Sequence, residues 1–212
     1  MGRKKSDLKR AWSVEDVMTT KHEKFDLSPE WKAAYGEPKT TGLWFIWGNS
    51  GNGKSSLVTQ LCKEMCRFGQ VLYDSLEEGN SDTMQELYIK VGMATEKKKM
   101  LLVQETLDEL DARLSRPKSP KIIIIDSWQY LFITFERFLA FLRKHPDKLF
   151  IVISQADGKM PDGRTARKVM GHAALKIWVE GFKAFSKGRY FGPNGGIYTI
   201  WHKGAAEYHG AA

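Results

Sequence analysis

Apolar positions in this chain recur with two periods. LWFIW (43 to 47) is an unbroken apolar run and predicts a buried strand, and Lys54 to about Arg67 has the spacing of a helix. QVLYDS (70 to 75) predicts a second strand and residues 81 to 92 a helix. Apolar positions then return at Val103, Leu107, Leu110 and Leu114, predicting another helix that RPKSP breaks. KIIIID places four β-branched residues in a row, which suits a parallel strand covered on both faces. Phe135, Phe138, Leu139 and Leu142 mark an amphipathic helix ending at His145-Pro146, and LFIVIS (149 to 154) is a fourth strand. LKIWVE and the stretch to Arg189 then predict strands, and GPNGG (192 to 196) turns the chain into IYTIW. Strand-helix alternation followed by antiparallel strands predicts an α/β fold, a mostly parallel central sheet flanked by helices with an antiparallel C-terminal β extension. Such sheets bind ligands at the carboxyl ends of their strands.

The ends read differently. Residues 1 to 41 are polar and basic, with one short helix expected at SPEWKAAYG, where Ser28 could cap and Pro29 take the first helical position. This segment is expected to be an arm outside the core, 42 to 203 the single domain, and 204 to 212 a tail. With 212 residues, 42% of them hydrophobic, the chain suffices for one sizeable core. The longest aliphatic run is IIII, and MGRKKSDLKR leads into no apolar segment, so a soluble protein of the cytoplasm is expected, or of the host-cell cytoplasm if viral. Cys62 and Cys66 lie four apart with no further ligands nearby, as ordinary reduced thiols would. The net charge of +8 is unevenly spread: Gly158 to Lys203 holds nine Lys or Arg against two acids, Asp162 and Glu180, and Arg3, Lys4, Lys5, Lys9 and Arg10 form a second cluster. This pattern fits a polyanionic partner and equally a basic solvated face.

One stretch carries chemistry. Gly48-Asn49-Ser50-Gly51-Asn52-Gly53-Lys54-Ser55, followed by Ser56, fits G-x-x-x-x-G-K-[ST] between a predicted strand and a predicted helix. Glycines let the backbone turn N–H groups around a phosphate, and the helix start adds partial positive charge. Lys54 would reach the β and γ phosphates of ATP and Ser55 would ligate Mg²⁺. Asp126, closing KIIIID, supplies a second metal-holding oxygen at the ligand edge, though strand-ending aspartates also cap turns. Glu77 and Glu78 follow QVLYDS and should emerge at the same edge, as a water-activating group or as a surface acidic pair. Gln155, ending LFIVISQ, could sense the γ-phosphate.

In this order the strand ends resemble the RecA/RadA/DnaB/KaiC superfamily of P-loop ATPases over roughly residues 42 to 203. The resemblance rests on GNSGNGKSS, VLYDSLEEG, IIIIDSWQ, ISQ, GHAALKIWVE and KGRYFGPNGG. It implies Glu77 as general base with Glu78 in support, Gln155 as a switch, and Lys187 and Arg189 as fingers reaching a neighbouring subunit's ATP, hence a ring or filament. It also implies that ADGKMPDGRTARKVM, with Lys159, Arg164, Arg167 and Lys168, is a mobile single-stranded-DNA-binding loop, with Trp128 and Tyr130 as a stacking surface; a solvated loop and a core tryptophan are the alternative. Lys176, where RadA relatives carry an acid, and Gly188 between the fingers depart from the pattern. Trp31-Lys32-Ala33-Ala34 is similar to the recombinase polymerisation anchor, and equally to a hydrophobic staple.

The chain is similar to the short recombinase-like or strand-annealing ATPases of phages and mobile elements. The expectation is an ATP- and Mg²⁺-dependent hydrolase, DNA-stimulated, acting in DNA recombination, annealing or repair. Two alternatives are a KaiC-like regulator with a protein partner and a DnaB-like helicase or helicase loader.

Overall fold

A computed structural model describes residues 10–190 and 195–210. Arg3, Lys4, Lys5 and Lys9 of the basic cluster, and Gly192 to Asn194 of the predicted turn, lie outside the described residues.

The helices and strands follow in chain order as α1 (Val14–Thr19), α2 (Pro29–Tyr35), β1 (Gly42–Gly48), α3 (Lys54–Met65), β2 (Val71–Ser75), α4 (Asp82–Val91), β3 (Met100–Val103), α5 (Leu107–Leu114) and β4 (Ile122–Asp126). Then come α6 (Phe135–Lys144), β5 (Leu149–Asp157), β6 (Met160–Pro161), α7 (Arg164–His172), β7 (Leu175–Glu180), β8 (Lys183–Gly188), β9 (Gly196–Thr199) and α8 (His202–His209). The sheet runs β3-β2-β4-β5-β1-β7-β8-β9, with β6 paired only to β5. Pairing is parallel from β3 through β7 and antiparallel from β7 to β9, as the hydropathy pattern predicts.

Strand β1 is central, paired with β5 and β7, and helices cover both faces of Leu43 to Ile46: Trp44 and Ile46 face α3, while Leu43 and Phe45 face the side of α5, α6 and α7. Two apolar clusters result, one on each face of the sheet. Cys62 and Cys66 are free thiols buried in the first. Side-chain caps start several helices: Ser81 accepts from the Met84 amide, Thr106 and Glu109 form a reciprocal capping box, and Thr134 accepts from Arg137.

Five expectations need correction. Val103 belongs not to a helix but to the edge strand β3, because the four apolar residues of MLLV add to β2 in parallel register. Residues 25 to 35 are core: Phe25, Leu27, Trp31, Ala34 and Tyr35 are all buried in the first cluster. The Ser28 hydroxyl makes no cap; its N–H instead donates to Glu64 at 2.7 Å, although Pro29 does open the helix. The supposed tail begins inside α8, whose Gly204 packs so closely on Trp201 and Phe182 that no side chain would fit there. The basic loop is not open chain but a tight β5–β6 hairpin followed by α7, whose Ala166 and Val169 are buried. Charges interleaved with those apolar positions hide the helical period.

Candidate active site

Parallel pairing puts the ends of β1, β2, β4 and β5 on one edge, with Ser75 opposite Asp126 and Gly48 opposite Gln155. The phosphate loop leaves β1 at Gly48, where a Cβ would stand 2.4 Å from the Val179 carbonyl, so only glycine permits this approach of β1 to β7. Gly51 and Gly53 have φ of +76° and +95°, a conformation that leaves the loop concave before α3 begins at Lys54. Asn52 stitches the loop together: its side-chain amide donates to Ser50 O at 3.2 Å, and its Oδ1 accepts the Gly181 N–H at 2.7 Å from the β7–β8 turn. Asn49 ties the other side of the loop to Gly158 O at 3.1 Å.

A cavity of about 550 Å³ opens over this loop. Lys54, Ser55, Glu77, Glu78, Asp126 and Gln155 all line it, with Ser50, Gly51, Gly53 and Ser56 on the loop side. Side chains far apart in sequence therefore converge on one pocket. Gly48, Asn49 and Asn52 support the loop from behind.

Polar contacts hold these groups in place. The Tyr73 hydroxyl donates to Asp126 Oδ2 at 2.5 Å, the Ser127 hydroxyl to Glu77 Oε2 at 3.2 Å, and the Gln155 amide to Glu77 Oε1 at 3.5 Å. Lys54 Nζ lies 3.0 Å from Asn49 O, folded back on its own loop. Burial lowers the Lys54 ammonium's pKa, opposed by Asp126 and Glu77. Tyr73, Ser127 and Phe182, whose ring stands over Gly53, carry no sign of their role in the sequence. Tyr73 sits two residues before the end of a strand whose partner strand ends in Asp126, and only the β2–β4 register shows that its hydroxyl meets that carboxylate.

Withdrawal from water pushes the Asp126 carboxyl up to about 6 from an ordinary 3.8; the Tyr73 hydrogen bond opposes this, Glu77 and Glu78 add to it, and Lys54 opposes it. Without a cation, the folded protein therefore binds the proton more tightly than the unfolded chain. That contribution is complete below about pH 4 and lost as pH rises through 6, a difference of about 3 kcal/mol. Asp126→Asn is thus expected to melt higher than the wild type at pH 7.5 without ligand and to melt at a similar temperature at pH 4. Thermal melts at the two pH values check it.

Among the described residues, no group of three or more His, Cys, Asp or Glu could hold a metal ion unaided. Ser55 and Asp126 offer two hard oxygen ligands beside a phosphate loop. That set fits Mg²⁺, which takes one or two protein oxygens and fills its shell with phosphate and water.

The other sequence-derived candidates lie elsewhere. Lys187 pairs with Lys176, three residues before the Val179 that pairs with Gly48, so Lys187 and Arg189 stand toward the opposite end of these strands, about 10 Å or more from the loop. They cannot complete their own chain's pocket. Lys159, Arg164, Arg167 and Lys168 are exposed on the hairpin and α7; Arg167 donates to Pro161 O at 3.1 Å, and Lys168 is 3.9 Å from Glu136. Trp128 is a core residue, 6% exposed and edge-on to Phe138, so of the proposed stacking pair only Tyr130 faces solvent. Trp31 and Ala34 pack inward, Trp31 stacking on Tyr198 at 3.9 Å between ring centroids, which is the staple-like alternative for that motif.

Comparison with solved structures matches this architecture. The crystal structure of the flagellar accessory protein FlaH from Methanocaldococcus jannaschii superposes with a TM-score of 0.61 at 16% identity, over 84% of this chain and 92% of that one. A second solved structure, the ATPase domain of another protein, superposes with a TM-score of 0.57 at 13% identity, over 85% of this chain and 89% of that one. The chain has the RecA-type P-loop fold. No family model and no curated protein matches the sequence. No helix among the described residues is long and apolar enough to cross a membrane.

Proposed function

We propose that this protein is an ATPase that binds Mg²⁺-ATP in the Gly48–Ser56 loop, assembles with copies of itself into a ring or filament, and acts on single-stranded DNA in recombination, annealing or repair, as short phage and mobile-element ATPases do. The observation that carries the reading is the convergence of Lys54, Ser55, Asp126, Glu77 and Gln155 on one cavity. The loop amides and Lys54 would hold the phosphates, and Ser55 and Asp126 the magnesium, whose role is to neutralise charge on them. Glu77, hydrogen-bonded to Ser127 and Gln155, would take a proton from water, with Glu78 beside it; those two contacts support the role. The main-chain carbonyl of Gln155 accepts from the Asp162 N–H at 3.0 Å, which links that strand end to the basic hairpin. Lys187 and Arg189, remote from their own pocket, would serve a neighbour's, so turnover should rise with protein concentration.

The decisive measurement is ATP turnover of the wild type with and without single-stranded DNA, alongside DNA binding at low salt. Stimulation supports the reading; turnover indifferent to DNA with no binding removes the DNA half of it. A second reading is a regulator whose output is a protein partner. It is favoured by the likeness to a protein named as a flagellar accessory protein and by the adjacent Glu77-Glu78 pair. An ATP-dependent, DNA-independent partner would identify it.

A further inference from the structure

The face of β7 and β8 turned away from α2 is unlike the rest of the sheet. Cross-strand register puts Lys176 opposite Lys187, Trp178 opposite Phe185, and Glu180 opposite Lys183. Like charges directly opposite each other destabilise a sheet, and neither Lys176 nor Lys187 has a carboxylate within 4 Å among the described residues. Next to this pair, Trp178 and Phe185 remain partly accessible, with Trp47 tilted against Trp178 at 5.7 Å between rings. The β5–β6 hairpin forms a wall: Trp47 Nε1 donates to Lys159 O at 3.1 Å, and the Met160 side chain is 44% exposed. Between hairpin, α7 and strands lies a cavity of about 520 Å³, apolar at the centre and rimmed by Lys159, Lys176 and Lys187. Glu180, its single acid, accepts from Trp178 Nε1 at 3.2 Å and faces Lys183 across the ladder.

We propose that this groove is a docking site for single-stranded DNA, with bases stacked on Trp178 and Phe185 and phosphates held by Lys159 and Lys176. Uncompensated lysines fit a polyanion, and two partly accessible rings on paired strands, Trp178 tilted on Trp47 and Phe185 edge-on to His209, fit unpaired bases, which stack without regard to sequence. Duplex DNA hides its base faces and does not match. The inference rests on the single-stranded-DNA reading above and extends it. The basic hairpin and α7 contain no Phe, Trp or Tyr, so stacking is supplied instead by the neighbouring strands β7 and β8.

The test is fluorescence anisotropy of a labelled oligo-dT and of an abasic strand of equal length, with the full chain at low salt. Trp178→Ala and Phe185→Ala should weaken oligo-dT binding about tenfold or more, with binding of the abasic strand changed far less. Trp178→Phe should restore most of the loss, which separates stacking from damage to the fold. Lys176→Glu should weaken both strands and flatten the salt dependence. Wild-type protein binding both strands equally would overturn the groove's stacking role. So would variants in the groove that bind like wild type while Arg164→Glu and Lys168→Glu lose binding, which leaves the DNA reading itself standing. Wild-type protein with no affinity for any single strand overturns both, and tighter binding of oligo-U than of oligo-dT overturns the choice of DNA.

Discussion

Glu77→Gln is expected to retain ATP binding and lose turnover by a factor of about 10² to 10⁴, the usual range for removing a general base. The amide keeps the size of the carboxylate and can still meet Ser127 and Gln155, whose hydrogen bonds to Glu77 are 3.2 and 3.5 Å. What it cannot do is accept water's proton. Lys54→Ala has the opposite signature: it removes the cation that reaches into the same cavity and should abolish nucleotide binding itself. Nucleotide affinity by fluorescence titration and turnover by phosphate release separate the two. Equal activity of both variants and the wild type would place the chemistry elsewhere. Glu78 is the natural rescue candidate, since it lines the same cavity, and Glu77→Gln/Glu78→Gln should lose whatever residual turnover Glu77→Gln retains.

Trp31→Ala should destabilise the fold by about 3–5 kcal/mol, the range for removing a buried aromatic side chain. Trp31 is 6% exposed, stacks on Tyr198 at 3.9 Å with a 14° interplanar angle, and tilts against Tyr35 at 5.3 Å. It joins α2 to β9, and with them the N-terminal segment to the last strand of the sheet. At about 2–4 °C per kcal/mol for a chain of this size, the melting temperature should fall by roughly 10 °C. Trp12→Ala is the control: that residue is 72% exposed, and its loss should shift stability by less than about 0.5 kcal/mol. If Trp31 were instead an anchor for a second subunit, the substitution would change the oligomeric state and leave the monomer's melt in place.

The phosphate loop and Trp31 differ in how far their roles can be read from the chain. The loop Gly48–Ser56 and Asp126 are legible because their chemistry depends on local backbone geometry. A glycine turn between strand and helix makes its own amide cup, and a run of isoleucines ending in aspartate marks its own strand end. Trp31 carries no such local sign. In SPEWKAAYG it has the surroundings of an exposed helix, and its burial follows from Tyr198, which is 167 residues later. The strand β3 and the helix α7 are hidden for related reasons. MLLV is too short to show a period before α5 begins, and α7 has its apolar positions interleaved with Arg164, Arg167 and Lys168.

Trp128 and Trp178 show the same division. Trp128 follows a strand with nothing local to mark it as buried, whereas Trp178 alternates with Leu175, Ile177 and Val179 and so shares the polar face of Lys176 and Glu180. Phe138 of α6 packs edge-on against Trp128, while Trp178 on β7 lines the open groove beside the hairpin and α7.

The order of most strands and helices, the parallel sheet and the phosphate loop were determined by the sequence alone, since period, β-branching and glycine placement act over a few residues and need no partner. The tertiary structure decided that Tyr73 meets Asp126, that Glu77 is held by Ser127 and Gln155, that the N-terminal segment belongs to the core, and that aromatic rings gather beside the basic hairpin. Those are contacts between strands and loops distant along the chain. They depend on register and packing, which arise only when the whole sheet has assembled.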